Sequence, residues 1–278
     1  MPESAAAPAT DLHAAAWHCL EAIGPGEKVR LTHAAWQDVL EGRLHIDAAA
    51  PPARPLPVPG RPSRPRLVPP RALPKRSLHS EAGRAALVHA VAHIEFNAIN
   101  LAWDAVYRFR GMPDGFYRDW AAVANDEARH FTLVCQRLAD MGVAYGDIDA
   151  HDGLWEMAVK TAHSDTARMA LVPRVLEARG LDVTPGMIAR FRAAGDEATV
   201  AVLEVILREE VAHVEAGTRW FHWCCRRDGL EPQATFRELL RTYMRGAPRG
   251  PFNMEARRRA GFSDSELDWL RDEGASGG

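Results

Sequence analysis

Two short strings in this 278-residue chain carry the residue types of metal chemistry. Residues 126–130 read Asp-Glu-Ala-Arg-His, and residues 209–213 read Glu-Glu-Val-Ala-His. Both contain Glu-x-x-His, Glu127 with His130 and Glu210 with His213. That step puts a carboxylate and an imidazole on one helical face, one turn apart. With 19 Glu and 12 His in the chain, about one such spacing is expected by chance, so the string alone decides little. Context decides more. Val123, Ala124, Glu127, His130, Phe131, Val134 and Leu138 fall on one apolar stripe. Leu203, Ile206, Leu207, Glu210, His213, Val214 and Gly217 fall on another. A carboxylate on a core-facing stripe needs a cation or a proton, because burying it ionised and alone costs several kcal/mol.

Two further acids complete the pattern. Glu95 is the one interruption of the stripe Val88, Val91, Ala92, Ala98, Ile99, Ala102 and Val106, and Met169, Ala170 and Pro173 lead to Glu177. Glu95 precedes Glu127 by 32 residues, and Glu177 precedes Glu210 by 33. The chain therefore reads as two equivalent halves, each a Glu, a helical hairpin and a Glu-x-x-His. Four carboxylates and two imidazoles inside a four-helix bundle form the ligand set of a carboxylate-bridged dimetal site. Hard oxygen donors with some imidazole, and no thiolate, favour iron or manganese over structural zinc.

The same residues admit plainer readings. Each Glu could pair with Arg129, Arg174 or Arg208. Glu209, at i−4 from His213, could replace Glu210, although only Glu210 repeats the spacing of the other helix. His89 and His93 are an i,i+4 pair lying off the Glu95 stripe, and read as packing groups or as neighbours that steady the ligands. Asp126 and Glu209 could orient the ligand imidazoles. Trp103, Tyr107, Trp120, Trp220 and Trp223 read as core rather than an electron path. Pro173, one turn before Glu177, should kink its helix and could open a substrate or dioxygen route there.

The elements that would position these residues are helices almost throughout. Residues 81–110 run without proline to Gly111-Met112-Pro113. Residues 114–140 close at Met141-Gly142, and 153–179 close at Gly180. Thr184 is expected to cap a shorter helix that opens with Pro185. Asp196 caps a last long helix, 197–227, ending before Gly229. A 28-residue helix is about 42 Å long, a length that suits a bundle. The expected architecture is all-α: a ferritin-like four-helix bundle with a long crossover, an N-terminal helical and proline-rich arm, and a C-terminal helical extension. The boundaries are 1–50 for two short helices either side of Gly24-Pro25-Gly26, 51–79 for the arm, 80–228 for the bundle, and 229–278 for the extension and a disordered tail. Residues 51–74 hold ten prolines. They cannot form helix or sheet, and Leu67, Val68 and Leu73 suggest a strap packed on the bundle.

Composition removes other classes of function. A formal charge of -3 gives no field to recruit nucleic acid or an anionic membrane. The basic residues Arg54, Arg61, Arg64, Arg66, Arg71, Lys75 and Arg76 make one local patch. Arg257-Arg258-Arg259 reads as a solvated helix face. The 31 Arg against 3 Lys read as usage bias. Cys19, Cys135, Cys224 and Cys225 contain no C-x-x-C, so neither a zinc ribbon nor a disulfide framework is expected. No secretion signal and no ordinary membrane span are read, and a cytoplasmic location is expected.

The ligand pattern over residues 80–228 resembles the ferritin-like diiron-carboxylate superfamily, which includes rubrerythrins, demethoxyubiquinone hydroxylase and a tRNA hydroxylase. Over nearly the whole chain, the strings PGRPSRPRLVPPRALPKRSL, AHIEFNAINLAWDAVYRFRG, DEARHF, MALVPRVLEARGLDVTPGM and EEVAHV resemble the domain-of-unknown-function 455 family. The superfamily resemblance implies that Glu95 and His130 bind one metal and Glu177 and His213 the other. Glu127 and Glu210 would bridge the two as the catalytic carboxylates. It implies two iron ions, with Fe/Mn or Mn/Mn as variants, and dioxygen as cosubstrate. It also implies an external electron donor and a small organic substrate that is hydroxylated or oxidised. Metal handling or peroxide scavenging, and tRNA hydroxylation, are the alternatives. Nucleic acid and membrane are not expected as partners, and a homodimer is compatible with the chain.

Overall fold

The computed structural model describes residues 11–47, 49–73, 78–244, 246 and 248–276. Lys75 and Arg76 of the basic patch, and residues 1–10 of the segment read for a secretion signal, lie outside these residues, as do residues 277–278 of the expected tail. Among the described residues the regular structure is helical, with no strand beyond two isolated bridges. The chain forms two compact units, residues 1–63 with 94–132, and residues 64–93 with 133–278.

In the first unit, α1 (Leu12–Glu21) and α2 (Pro25–Leu40) accompany most of α3 (Glu81–Arg108) and α4 (Asp114–Asp140). Asp11 caps α1 by accepting from the Ala14 amide, and α2 starts at Pro25, whose fixed φ and missing N–H suit the first helical position. Apolar burial supplies the core: Ala16, Leu20, Phe96, Ile99, Trp103, Val106, Phe116 and Trp120 are all buried. Polar groups within it are matched. Trp103 Nε1 donates to Thr32 Oγ1 at 2.9 Å, and His13 Nδ1 lies 2.9 Å from the Val106 carbonyl. The first part of the proline-rich arm follows α1, with the Gly60 amide donating to the Leu20 carbonyl at 2.7 Å. A Cβ at Gly60 would collide with the Glu21 backbone, so only glycine allows this approach.

The second unit holds the start of α3, the end of α4, and α5 (Gly153–Lys160), α6 (Asp165–Leu171), a π-helical turn (Val172–Glu177), α7 (Ala178–Ala193), α8 (Glu197–Asp228), α9 (Pro232–Met244), α10 (Met254–Arg259) and α11 (Asp264–Ser276). Ser80 begins α3 and Asp196 caps α8. Val143 and Gly142 close α4 by donating to the Leu138 and Ala139 carbonyls. The later part of the arm bridges to the connector after α4 through Leu67 and Ala150, and Arg66 pairs with Asp149 at 2.6 Å. α10, α11 and the turn between them bury Ala256, Phe262, Leu267 and Leu270 against Leu181 of α7 and Val214 of α8.

Three expectations need correction. The stretch 153–179 is not one helix; it breaks at residues 161–164 and changes to π geometry at Val172. Neither Gly180 nor Thr184-Pro185 marks a boundary, since both lie inside α7. Pro185 has no N–H to give the Leu181 carbonyl four residues back, and Asn253 Nδ2 donates to that carbonyl instead at 3.2 Å. Arg257 is not solvated. It is 1% exposed and donates through Nε and Nη2 to Asp182 at 2.9 and 2.7 Å.

Among the described residues, α3 is the helix long and apolar enough to cross a membrane, and 78% of its apolar window is buried in the protein. The four cysteines are free thiols.

Candidate metal centre

The apolar stripes read from sequence are the buried faces of α3, α4 and α8. Val88, Val91, Ala92, Ile99, Val123, Ala124, Val134, Leu138, Leu203 and Ile206 are all buried. On those faces sit the acids and histidines. In the first unit Glu95 of α3, and Glu127 and His130 of α4, are 3%, 1% and 0% exposed. His130 Nδ1 stands 3.5 Å from Glu95 Oε2 and 3.5 Å from Glu127 Oε2. In the second unit Glu210 and His213 of α8 are 9% and 2% exposed, and His213 Nδ1 stands 3.5 Å from Glu210 Oε1. The two Glu-x-x-His pairs thus share one separation.

That separation is informative. It exceeds the 2.7–3.2 Å of an ordinary N–H···O hydrogen bond. Two donors each about 2.1 Å from one ion, at an angle near 110°, stand about 3.4 Å apart. One donor atom from each of the buried Glu95, Glu127, His130 and Glu210 lies within 4.8 Å of the others, a group that could hold a metal ion.

The electrostatics say the same. Burial first, and then the Glu127 carboxylate, push Glu95 well above the ordinary carboxylate range. Burial alone would lower His130, but Glu127 and Glu95 outweigh it and raise the imidazole to about 11. Two carboxylates face one imidazole, so the buried trio retains a proton for charge balance. A divalent cation can displace that proton and offset the same charge.

The other candidates separate from this group. Glu177 ends the π-helical turn and is half-buried; neither it nor His213 is in the four-residue group. His93 lies off the Glu95 face, with Nδ1 3.0 Å from Tyr145 Oη and Nε2 3.2 Å from the His151 carbonyl. His89 Nε2 accepts from the Gly146 amide at 2.9 Å. Both histidines therefore organise the connector after α4. Asp126 and Glu209 are half-buried, with Arg129 and Arg208 each 3.4 Å away. Arg174 is fully buried and pairs with Glu266 at 2.5 Å. Pro173 lies inside the π-helical turn. It packs into α8 so closely that a Cβ on Gly217 would overlap its ring. The π-helical turn itself was not visible from sequence; the one signal was Pro173 within an otherwise continuous helical pattern.

Comparison with known proteins adds a family but no activity. A family described as "Protein of unknown function (DUF455)" matches residues 21–268. An uncharacterized protein of Haemophilus influenzae is 48% identical over 216 residues, covering 75% of this chain and 75% of the relative. No solved structure matches.

Proposed function

The chain belongs to the DUF455 family, whose description assigns no reaction, and from its side chains we propose a ferritin-like dimetal oxidoreductase. Glu95, Glu127 and His130 from one half, and Glu177, Glu210 and His213 from the other, would hold two iron ions, with Fe/Mn or Mn/Mn as variants. The observation that carries this reading is the repeated buried Glu-x-x-His pair, with imidazole and carboxylate 3.5 Å apart in both copies. A lone buried carboxylate–histidine pair is a common structural feature; a duplicate at matched spacing, with a further buried Glu beside one of them, is the mark of a ligand set.

In this reading the chain's part is geometric and electrostatic. Glu127 and Glu210, the carboxylates of the two Glu-x-x-His pairs, would be shared between the metals and would leave room for a reactant beside them. His130 and His213 supply neutral donors, which keeps the site from accumulating excess negative charge. Val91, Phe131, Val134 and Ile206, each four residues from a ligand candidate on its own helix, are buried, and apolar neighbours of this kind exclude bulk water and protect a reactive site from side reactions. Bound there, a reduced metal pair supplies the electrons for dioxygen activation and oxidation of an organic substrate held beside it, with an external donor restoring the reduced form.

The test is stopped-flow mixing of the anaerobic, ferrous-loaded chain with dioxygen, in the presence and absence of small organic compounds. The oxidase reading expects a fast single turnover whose decay is accelerated by particular compounds with formation of oxidised product. Iron accumulation far beyond the ligand set, with decay indifferent to every organic compound, would replace this reading with metal storage.

A further inference from the structure

Two hollows at one end of the second unit share a side chain, and their order along the helices is informative. The outer one is a polar surface cleft of about 590 Å³ lined by residues including Glu81, Arg84, Arg137, Asp140 and Asp196. The inner one is a small apolar cavity of about 10 Å³, lined by Val88, Val91, Val134, Phe191, Val202 and Leu203 with Arg137 and Thr199 at its edge. That volume admits the centre of about one water-sized molecule. Arg137 borders both.

The inner cavity lies on the ligand faces themselves. Val91 precedes Glu95 by four residues on α3, Val134 follows His130 by four on α4, and Leu203 precedes Glu210 by seven on α8. Those steps return to the same helical face, and four residues span about 6 Å of helix axis. Three helices therefore place the cavity wall one or two turns from their own metal-ligand candidates, all displaced toward the same chain positions that line the cleft.

The polar groups of Arg137 and Thr199 are engaged with one another and with Asp196, which lines the cleft. Arg137 Nε donates to Thr199 Oγ1 at 2.9 Å, and Nη2 donates to Asp196 Oδ1 at 3.0 Å. Thr199 Oγ1 in turn donates to Asp196 Oδ2 at 2.9 Å. The guanidinium thus faces the cleft, while its methylene stem can cover the apolar side. A water inside the cavity would meet valine, leucine and phenylalanine carbons, and an apolar hollow of this kind stays dry and favours apolar guests.

We propose that the inner cavity is a binding pocket for dioxygen on its way to the metal centre, with the outer cleft as its mouth and the Arg137–Asp196–Thr199 network as the latch between them. The proposal rests on the dimetal reading above, and it assigns the approach of the gas to the Val91–Val134–Leu203 end rather than to Pro173.

The experiment has two arms. In metal-free protein with labelled methyl groups, dissolved dioxygen should enhance relaxation of the Val91, Val134 and Leu203 methyls above that of Leu12 and Leu181, which are equally buried elsewhere. Uniform enhancement across these methyls would overturn the pocket. In iron-loaded protein, Val91→Phe and, separately, Leu203→Phe should fill the cavity and slow oxidation of the ferrous form by dioxygen about tenfold, with metal content unchanged. Arg137→Ala should leave metal content unchanged and speed the same step. Unaltered oxidation rates in both Phe variants, each retaining metal and helical content, would overturn the role in delivery. Failure of the wild type to bind a redox metal would remove the dimetal reading, while the relaxation arm would still report on the pocket.

Discussion

The protein buries carboxylates in two ways, and the contrast separates a structural cluster from a chemical one. In the C-terminal helices, Glu266 meets Arg174 at 2.5 Å, and Asp182 meets both Nε and Nη2 of Arg257. The guanidinium of Arg174 also lies over the faces of Phe221, Phe236 and Phe262, at 4.7, 4.5 and 4.5 Å. Each acid there has a permanent cation held by rigid aromatic walls, and the pair closes its own charge balance. Burial would raise Glu266, but Arg174 and the Ser263 hydrogen bonds hold it below the ordinary value. At Glu95, Glu127 and His130 the balance runs the other way, and Glu95 is driven up toward its protonated form. One cluster is finished by arginine; the other is left for a proton or a metal.

The contrast can be broken most sharply at Glu127. Glu127→Ala should reduce bound metal to well under half of the wild-type content, while the helical signal persists, because the core around the helices is apolar. Metal analysis beside circular dichroism reads both. A variant with full metal content would place Glu127 with the structural acids.

Arg174→Ala should do the opposite. Removing one partner of a buried pair leaves Glu266 uncompensated and should cost about 3–5 kcal/mol in denaturant unfolding, with metal content per folded chain little changed. A double replacement, Arg174→Met with Glu266→Leu, should recover most of that loss. If the double variant were as unstable as the single, the cost would come from packing rather than charge.

A third buried cation sharpens the comparison. Lys28 is fully buried and donates to two carbonyls, Cys19 at 2.5 Å and Leu20 at 3.2 Å. Burial lowers it from 10.5 to about 8. Between those two values the unfolded chain keeps a proton that the folded chain has released, so stability should rise with pH across that window. The full gain is about 3 kcal/mol. Lys28→Met should flatten the rise, as measured by denaturation at pH 8 and above. A wild-type profile that stayed flat would show that the carbonyls fully stabilise the charge.

The smallest effect belongs to the exposed pairs. Arg219 lies 3.0 Å from Glu215 at i,i+4 on the outer face of α8. Arg219→Ala should cost no more than about 0.5 kcal/mol, diminished further by salt. A loss matching that of Arg174→Ala would erase the distinction between buried and surface arginine.

Much of this was legible in the sequence because it rests on periodicity. The stripes on α3, α4 and α8 return the same faces that are buried, and Asp196 and Gly229 mark both ends of α8 as their residue types require. The Glu-x-x-His pairs were readable for the same reason. What was not readable depends on tertiary contact. The π-helical turn at Val172–Glu177 keeps helical periodicity to within one residue, so only backbone geometry shows it. Arg257 looks like its neighbours Arg258 and Arg259 until Asp182 of a distant helix meets it. Pro185 read as a helix start because the flanking Thr184 is a good cap, but packing of Leu181 and Ile188 carries α7 straight through. Lys28 gives no local sign of burial, since its partners are main-chain carbonyls.

Metal content of the wild-type chain tests the central claim most directly. The full chain, loaded with ferrous iron under anaerobic conditions and freed of excess metal, should retain about two iron or manganese ions per molecule, as the duplicated ligand set requires. A chain that retains a single zinc ion, or no metal at all after loading, would contradict the account.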